Sequence, residues 1–246
     1  MLIDIIRSIH SGNAESLKLS IAIALLSIPI FLLALSLHEA AHGFVAYKLG
    51  DPTAKLRGRL TLNPFKHFDV IGFVMLMLVG FGWAKPVPID TRNFKKPKRD
   101  MAISAVAGPI SNLLLALVFT VFFKLFSLAY SNPAIDDALF LSTPWRLLGV
   151  FLYYGIRLNV MFAVFNLLPI PPFDGSRLVL AVLPSHIYFK IQKYERYIML
   201  VLIILLFTGI LNVPLSFCID KITDLYMWMF NISWALPIGL LASLIY

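Results

Sequence analysis

The sequence is poor in charged residues and has almost no cysteine. Charged residues make up 14% of the 246 residues and hydrophobic residues make up 59%, whereas a soluble domain has about 25% charged and about 45–50% apolar residues. This composition excludes an ordinary soluble domain, a disordered chain and a collagen-like chain. Because Cys218 is the single cysteine, the chain cannot form an internal disulfide and does not depend on an oxidising compartment.

Long apolar runs predict an all-α protein that crosses a membrane several times. A membrane-spanning helix needs about 20 mostly apolar residues. About five stretches approach this length, and they cover residues 19–47, 101–130, 145–169, 197–213 and 226–246. The apolar run 70–81 is too short to span, so we expect it to be re-entrant or packed inside the bundle. We interpret residues 1–246 as a single membrane-embedded domain, in which residues 1–18 form an amphipathic interfacial segment.

Positive charge is concentrated in the region 48–100. Eleven of the 21 Lys and Arg residues lie between Lys48 and Arg99, together with three aspartates. A basic block beside apolar runs is typical of a cytoplasmic loop, and it suits a bilayer with anionic headgroups. No nucleic-acid-binding motif accompanies the charge. We therefore expect a multi-pass protein of the cell membrane that contacts the lipid bilayer and not nucleic acid, with this region on the cytoplasmic side.

Two segments of the basic region have features of extended chain. Residues 54–62 alternate between apolar and polar with period two, as a half-buried strand does. Residues 83–89 contain two prolines, so they can form only an edge strand or an extended loop. Together they predict a small sheet at the cytoplasmic membrane surface. The alternative is a simple lipid-binding loop.

The last third of the first apolar run contains the pattern H-E-x-x-H. His38 and His42 are four residues apart, so on a helix they share one face, about 6 Å apart along the axis. Two imidazoles in this arrangement can bind one metal ion, while Glu39 points about 100° away and can reach a metal-activated water. The alternative is a buried polar cluster that is only hydrogen-bonded. Because ionisable groups inside a span are costly, the pattern favours a functional site.

A catalytic zinc ion usually takes three protein ligands and a water, so a third ligand is needed at the same depth. The loop charges place the motif near the cytoplasmic end of the first span. They place Asp174 just beyond the cytoplasmic end of the third span. Taken alone, Asp174-Gly175 is typical of an ordinary turn. Together with the two histidines, it makes Asp174 the candidate third ligand of a single Zn²⁺.

Three motifs resemble those of the site-2 protease family of intramembrane zinc metalloproteases. They are H-E-A-A-H at 38–42, A-G-P-I-S-N at 107–112 and N-L-L-P-I-P-P-F-D-G at 166–175. The chain resembles the short form of this family, which has no PDZ-like domain. The resemblance implies that His38, His42 and Asp174 bind zinc. It also implies that Glu39 is the catalytic acid and base, and that Asn166 assists the scissile peptide.

The residues and the resemblance together predict an enzyme that hydrolyses peptide bonds in or near the transmembrane segments of other membrane proteins. Zinc-activated water would attack the peptide carbonyl, with Glu39 as the general base. The alternative is a metal-binding transporter or sensor without proteolytic activity. A transporter needs a polar route across the whole bilayer, whereas the intramembrane acids and histidines of this sequence gather at one end.

Overall fold

The computed structural model describes residues 5–6, 9–10, 14–79, 82–131, 143–184, 193–195, 197–202, 204–205 and 208–237. Within these residues the regular structure is helical and no strand forms. The main helices are α1 (Ala14–Lys48), α2 (Thr53–Leu56), α3 (Pro64–His67), α4 (Val70–Val79), α5 (Pro97–Tyr130), α6 (Thr143–Asn166), α7 (Gly175–Val182) and α8 (Asn212–Met229), and a 3₁₀ turn covers Thr91–Asn93.

Three of the described helices are long and apolar enough to cross a membrane. The candidate spans are Ser20–Lys48 in α1, Pro97–Tyr130 in α5 and Pro144–Asn166 in α6. They correspond to the first three predicted stretches. The prediction of a helical membrane protein is confirmed at this level.

The fourth and fifth predicted spans are not confirmed. The stretch 197–213 lies only partly within the described residues, and the chain turns at 208–211. The stretch 226–246 begins inside α8, which ends at Met229, and Asn231 then has a positive φ of 49°. A single helix from 226 onward is therefore interrupted within the described residues, and 238–246 lie outside them. Of the predicted interfacial segment 1–18, the residues from Ala14 onward already belong to α1.

The apolar core lies where α5 and α6 pack against α1 and α8. Ile30 from α1, Phe123 from α5 and Val160 from α6 are all fully buried in it. The helices α5 and α6 approach closely at Gly155, where a Cβ would lie 2.3 Å from the ring of Phe119. A residue without a side chain is needed at this crossing, because close-packed interiors tolerate added volume poorly.

Two cations within the candidate spans have partners on the C-terminal part of the chain. Arg157 in α6 forms an ion pair with Asp220 in α8, with an N–O distance of 2.8 Å. The Lys124 amine in α5 donates to the backbone carbonyl of Asn231 at 3.0 Å. Both side chains therefore connect α5 and α6 to α8 and to the turn that follows α8.

The sheet predicted over 54–62 and 83–89 is not found in the described residues. Residues 54–56 belong to the short helix α2, and Gly58 then turns the chain with a φ of +62°. The next helix, α3, is capped by Asn63, whose side chain accepts a hydrogen bond from the Phe65 amide. These local turns and caps outweigh the period-two pattern that predicted a strand.

Residues 83–90, which the sequence predicts to be an edge strand or an extended loop, belong to no helix or strand and contact the predicted site through Val87. We refer to them as the extended segment. The buried carboxylate of Asp51 accepts hydrogen bonds from the Asp90 amide at 2.8 Å and from the Asn93 side chain at 2.7 Å. Burial alone would raise the pKa of Asp51, but the hydrogen bonds from Thr53, Asn93 and Asp90 outweigh burial and lower it. The Asp51 carboxylate thus fixes one end of the extended segment to the end of α1.

The apolar run predicted to be re-entrant or packed is helical over Val70–Val79. At 1.5 Å per residue this helix, α4, is about 15 Å long and too short to cross a bilayer. Gly72 packs against the extended segment, since a Cβ there would lie 2.1 Å from the Trp83 carbonyl oxygen. The helix α4 and the extended segment are therefore packed together.

Candidate metal centre

Three of the predicted site residues meet at one point. His38 and His42 lie near the end of α1, and Asp174 lies directly before α7. The Nε2 atoms of the two histidines are 2.9 Å apart. The Oδ2 atom of Asp174 lies 3.0 Å from the first of them and 3.1 Å from the second. Three potential ligand atoms therefore form a compact triangle that could hold one metal ion.

Asp174 reaches the histidines through the non-helical segment 167–174. The helix α6 ends at Asn166, and the prolines at 169, 171 and 172 cannot continue a regular helix. At Gly175 a Cβ would lie 2.2 Å from the carbonyl oxygen of Leu167. Any side chain at position 175 would open this turn. Gly175 is therefore needed for the turn that brings the Asp174 carboxylate to the histidines.

The second ring nitrogen of each histidine fixes how the ring is protonated. The Nδ1 atom of His38 lies 2.6 Å from Oδ1 of Asn112, and Nδ1 of His42 lies 2.8 Å from the carbonyl oxygen of Ser104. Because both partners are oxygen acceptors, a neutral imidazole at either position carries its proton on Nδ1 and presents a lone pair at Nε2. Two lone pairs and a carboxylate oxygen then face one another, and a cation satisfies all three. The donor set therefore fits zinc.

The orientation of Asn112 is itself fixed by a chain of amides across three helices. Its Nδ2 donates to the Ala34 carbonyl at 3.3 Å and to Oδ1 of Asn159 at 3.2 Å. Asn159 in turn donates to the Gly155 carbonyl at 2.8 Å. Both asparagines are fully buried. This network leaves Oδ1 of Asn112 as the acceptor for His38.

Gly108 provides the space in which the two imidazoles lie. A Cβ at this position would lie 2.4 Å from Nε2 of His42 and 2.6 Å from Cε1 of His38. The two rings pack edge to face, with their centroids 4.5 Å apart. Because α5 presents no side chain here, the rings can approach its backbone closely.

Glu39 lies in the same site but makes a different contact. Its Oε2 atom accepts a hydrogen bond of 2.7 Å from the backbone amide of Val87 in the extended segment. The side chain is buried, and it lines a cavity of about 430 Å³ together with His38 and Asp174. Glu39 therefore borders the ligand triangle without being part of it.

Asn166 lines the same cavity at the end of α6. Its Nδ2 donates to the carbonyl of Phe162, one turn earlier in the same helix, at 3.0 Å. The structure therefore places Asn166 in the same cavity as His38, Glu39 and Asp174.

Sequence reasoning gave no role to four groups of the site. Asn112 and Asn159 had a signal, because each is an amide inside an apolar span, but the sequence does not show what each one contacts. The Ser104 carbonyl and the Val87 amide act through the backbone. No residue type could have identified them.

The fold and the site together define a helical membrane protein with a candidate metallopeptidase centre. The sequence profile of Peptidase family M50 matches residues 142–208. The chain is 42% identical to YwhC of Bacillus subtilis over 174 residues, which cover 70% of this chain and 76% of YwhC. It is 29% identical to Rip2 of Mycolicibacterium smegmatis over 217 residues, which cover 87% of this chain and 76% of Rip2. No solved structure gives a significant match.

Both relatives are named "Putative zinc metalloprotease". MJ0611 of Methanocaldococcus jannaschii has the same name, and it is 27% identical over 143 residues, which cover 58% of this chain and 62% of MJ0611. The chain belongs to peptidase family M50, the site-2 protease family that its motifs resemble. Membership of a peptidase family favours the enzyme over the transporter or sensor considered as the alternative.

Proposed function

We propose that this protein is an intramembrane zinc metalloprotease that hydrolyses peptide bonds in or near transmembrane segments of other membrane proteins. The observation that carries the proposal is the triangle of His38, His42 and Asp174 beside the buried carboxylate of Glu39. This centre lies at the end of a candidate membrane span, a position that distinguishes it from the site of a soluble protease.

His38, His42 and Asp174 would hold one zinc ion. When bound, zinc polarises a peptide carbonyl and lowers the pKa of water to about 7. Glu39 would take the proton from the attacking water and pass it to the leaving amine. The Val87 amide holds one oxygen of this carboxylate, so the hydrogen bond orients the base within the cavity. Asn166, on the cavity wall, would bind the scissile peptide.

The cavity walls suit an extended apolar segment. They are formed by Phe162 and Phe165 from α6, and by residues 83–84 and Pro86 of the extended segment. A substrate helix must unwind before cleavage, because its carbonyls are held in its own hydrogen bonds. The unwound backbone would lie in this cavity beside the polar groups of the centre, because non-helical backbone at membrane depth is tolerated where it lines a cavity or is buried in protein.

The extended segment would recognise substrate mainly through side chains. The amides of Lys85 and Val87 already donate to the His67 carbonyl and to Glu39, and Pro86 and Pro88 have no N–H. No main-chain donor from 85 to 88 therefore remains for an added strand, which limits the usual pairing of a peptide with a sheet edge. Selectivity would then depend on apolar fit more than on sequence.

The orientation that we propose places the centre near the cytoplasmic face of the cell membrane. The basic region 48–100 is joined to the end of α1 that bears His38 and His42, and Lys and Arg favour the cytoplasmic side. We further propose that two more spans follow α6, although not as one continuous helix from residue 226, and that α4 is a re-entrant or packed helix. The substrate is thus a membrane protein in the same bilayer.

The proposed function is tested with purified protein in liposomes that contain a model single-span substrate. We expect cleavage products whose new ends lie within or beside the apolar segment, as determined by mass spectrometry. Zinc chelation should stop cleavage, and added Zn²⁺ should restore it, because a chelator competes with the protein ligands for the ion. Cleavage that persists in the metal-free protein would contradict the proposal, as would metal transport without any proteolysis.

Asn112→Leu should weaken zinc binding and cleavage by about 10- to 100-fold, the usual effect of removing a group that orients a metal-binding histidine. Leu has a similar volume but cannot accept the proton of His38 Nδ1. Competition with a zinc-binding dye measures the affinity. Thr120→Val is the matched control, because it also removes a buried polar group from α5, one that donates to the Ala116 carbonyl of the same helix. Equal zinc affinity in both variants would contradict this role of Asn112.

A further inference from the structure

A second cavity, of about 900 Å³, lies on the face of α5 opposite the metal centre. Its apolar wall on α5 includes Ile103, Val106 and Ile110, which fall within about 60° of one another at 100° per residue. The residues of α5 that face the metal centre, Ser104 and Gly108, lie roughly on the other side of the helix. The two cavities share no lining residue. We call this second cavity the outer groove.

The other wall of the outer groove is α7, which contributes Leu178 and Val182. Large apolar side chains are exposed along both walls, with 48% exposure for Ile110 and 82% for Val182. At the α5 N-terminus the Lys98 amine donates to the Leu183 carbonyl at 2.9 Å. This contact joins the end of α7 to the start of α5, so the groove is bounded by a polar bridge at one end.

The same end of the groove is strongly basic. Lys96, Lys98 and Arg99 line it and are all exposed. The carboxylate nearest to these cations in sequence belongs to Asp100, which is buried. It accepts a hydrogen bond from the Lys96 amide at 2.9 Å and forms an ion pair with Arg99 at an N–O distance of 2.7 Å. Three cations therefore border an apolar channel that contains no exposed acid among its lining residues.

We propose that the outer groove binds an anionic phospholipid, whose phosphate contacts Lys96 and Arg99 and whose acyl chain lies along Ile103 and Ile110. An apolar channel with a cationic end complements an amphiphile with an anionic head. Lipids of this charge are abundant on the cytoplasmic side of membranes, where juxtamembrane Lys and Arg attract them. A transmembrane substrate fits the groove less well, because α5 separates this groove from Glu39 and the ligand triangle.

The test is native mass spectrometry of the detergent-purified full chain titrated with phosphatidylglycerol and with phosphatidylcholine of the same acyl chains. We expect tighter binding of phosphatidylglycerol. Lys96→Gln should weaken that binding by about fivefold, the usual effect of one juxtamembrane cation. Lys95→Gln is the matched control, because Lys95 is the exposed neighbour that does not line the groove. Ala181→Trp, which fills the groove and keeps its charges, should weaken the binding of both lipids.

Equal effects of Lys95→Gln and Lys96→Gln would overturn the proposal, because general surface charge would then account for binding. Equal affinity for the two lipids would overturn it as well, as would unchanged binding in Ala181→Trp. Absence of any bound lipid would overturn it too. Lys96 makes no side-chain cap at α5, so unchanged zinc content should verify that its variant is folded.

Discussion

Glu39→Gln is expected to abolish cleavage while the protein keeps about one zinc ion per chain. Glutamine has the same shape, and its oxygen can still accept the hydrogen bond from the Val87 amide, so the extended segment stays in place. It cannot take a proton from water, and loss of a general base typically costs about 10²- to 10⁴-fold in rate. Zinc is retained because Glu39 lies outside the triangle of His38, His42 and Asp174.

The measurement pairs metal analysis with the liposome cleavage assay on the same preparation. Glu195→Gln serves as the matched control, since it makes the same chemical change at a position that does not line the cavity. We expect this control to cleave at the parental rate. A Glu39→Gln variant that cleaves normally would show that the base lies elsewhere. A variant that lacks zinc would show that Glu39 supports the metal and not the proton transfer.

Gly108→Ala is expected to impair both zinc binding and cleavage, although it adds a single methyl group. Its Cβ would lie 2.4 Å from Nε2 of His42 and 2.6 Å from Cε1 of His38, well inside van der Waals contact. Neither ring can yield easily, because Asn112 and the Ser104 carbonyl hold the other ring nitrogens. Overpacking costs about 1–3 kcal/mol, and at tenfold per 1.4 kcal/mol this corresponds to about 5- to 150-fold in zinc affinity.

Gly155→Ala separates this effect from a general loss of packing. Its Cβ would lie 2.3 Å from the Phe119 ring, a clash of similar severity at a helix crossing that contains no predicted ligand, and alanine keeps the backbone carbonyl that accepts from Asn159. We expect Gly155→Ala to lower the thermal stability while the folded protein binds zinc as tightly as the parent. Zinc titration and thermal unfolding distinguish the two variants. If Gly108→Ala binds zinc with parental affinity, the two imidazoles do not occupy the positions described.

The sequence predicted those parts of the site that depend on helical spacing. His38 and His42 share a face because a helix repeats every 3.6 residues. The same spacing predicts that Glu39 lies on a different face of the helix from the two histidines. The depth of Asp174 followed from the distribution of Lys and Arg around the spans. The turn that delivers Asp174 depends on the close approach of Gly175 to Leu167, which the prolines before it suggest but do not specify.

Contacts between distant parts of the chain could not be predicted. The hydrogen bond from Val87 to Glu39 joins residues 48 positions apart through a backbone group, and the pairing of Arg157 with Asp220 depends on how α6 and α8 pack. The sheet prediction failed for a local reason. Asn63 and Gly58 impose a cap and a turn on a segment whose alternation otherwise favours a strand.

The most direct test of the proposed centre is the zinc content per chain, measured together with the cleavage rate, in Glu39→Gln and His42→Ala. We predict about one zinc ion and no cleavage for the first variant. For the second we predict neither zinc nor cleavage, because two remaining ligands hold the ion poorly. Full zinc occupancy in His42→Ala, or parental cleavage by Glu39→Gln, would contradict the assignment of metal ligands and base on which the proposed function depends.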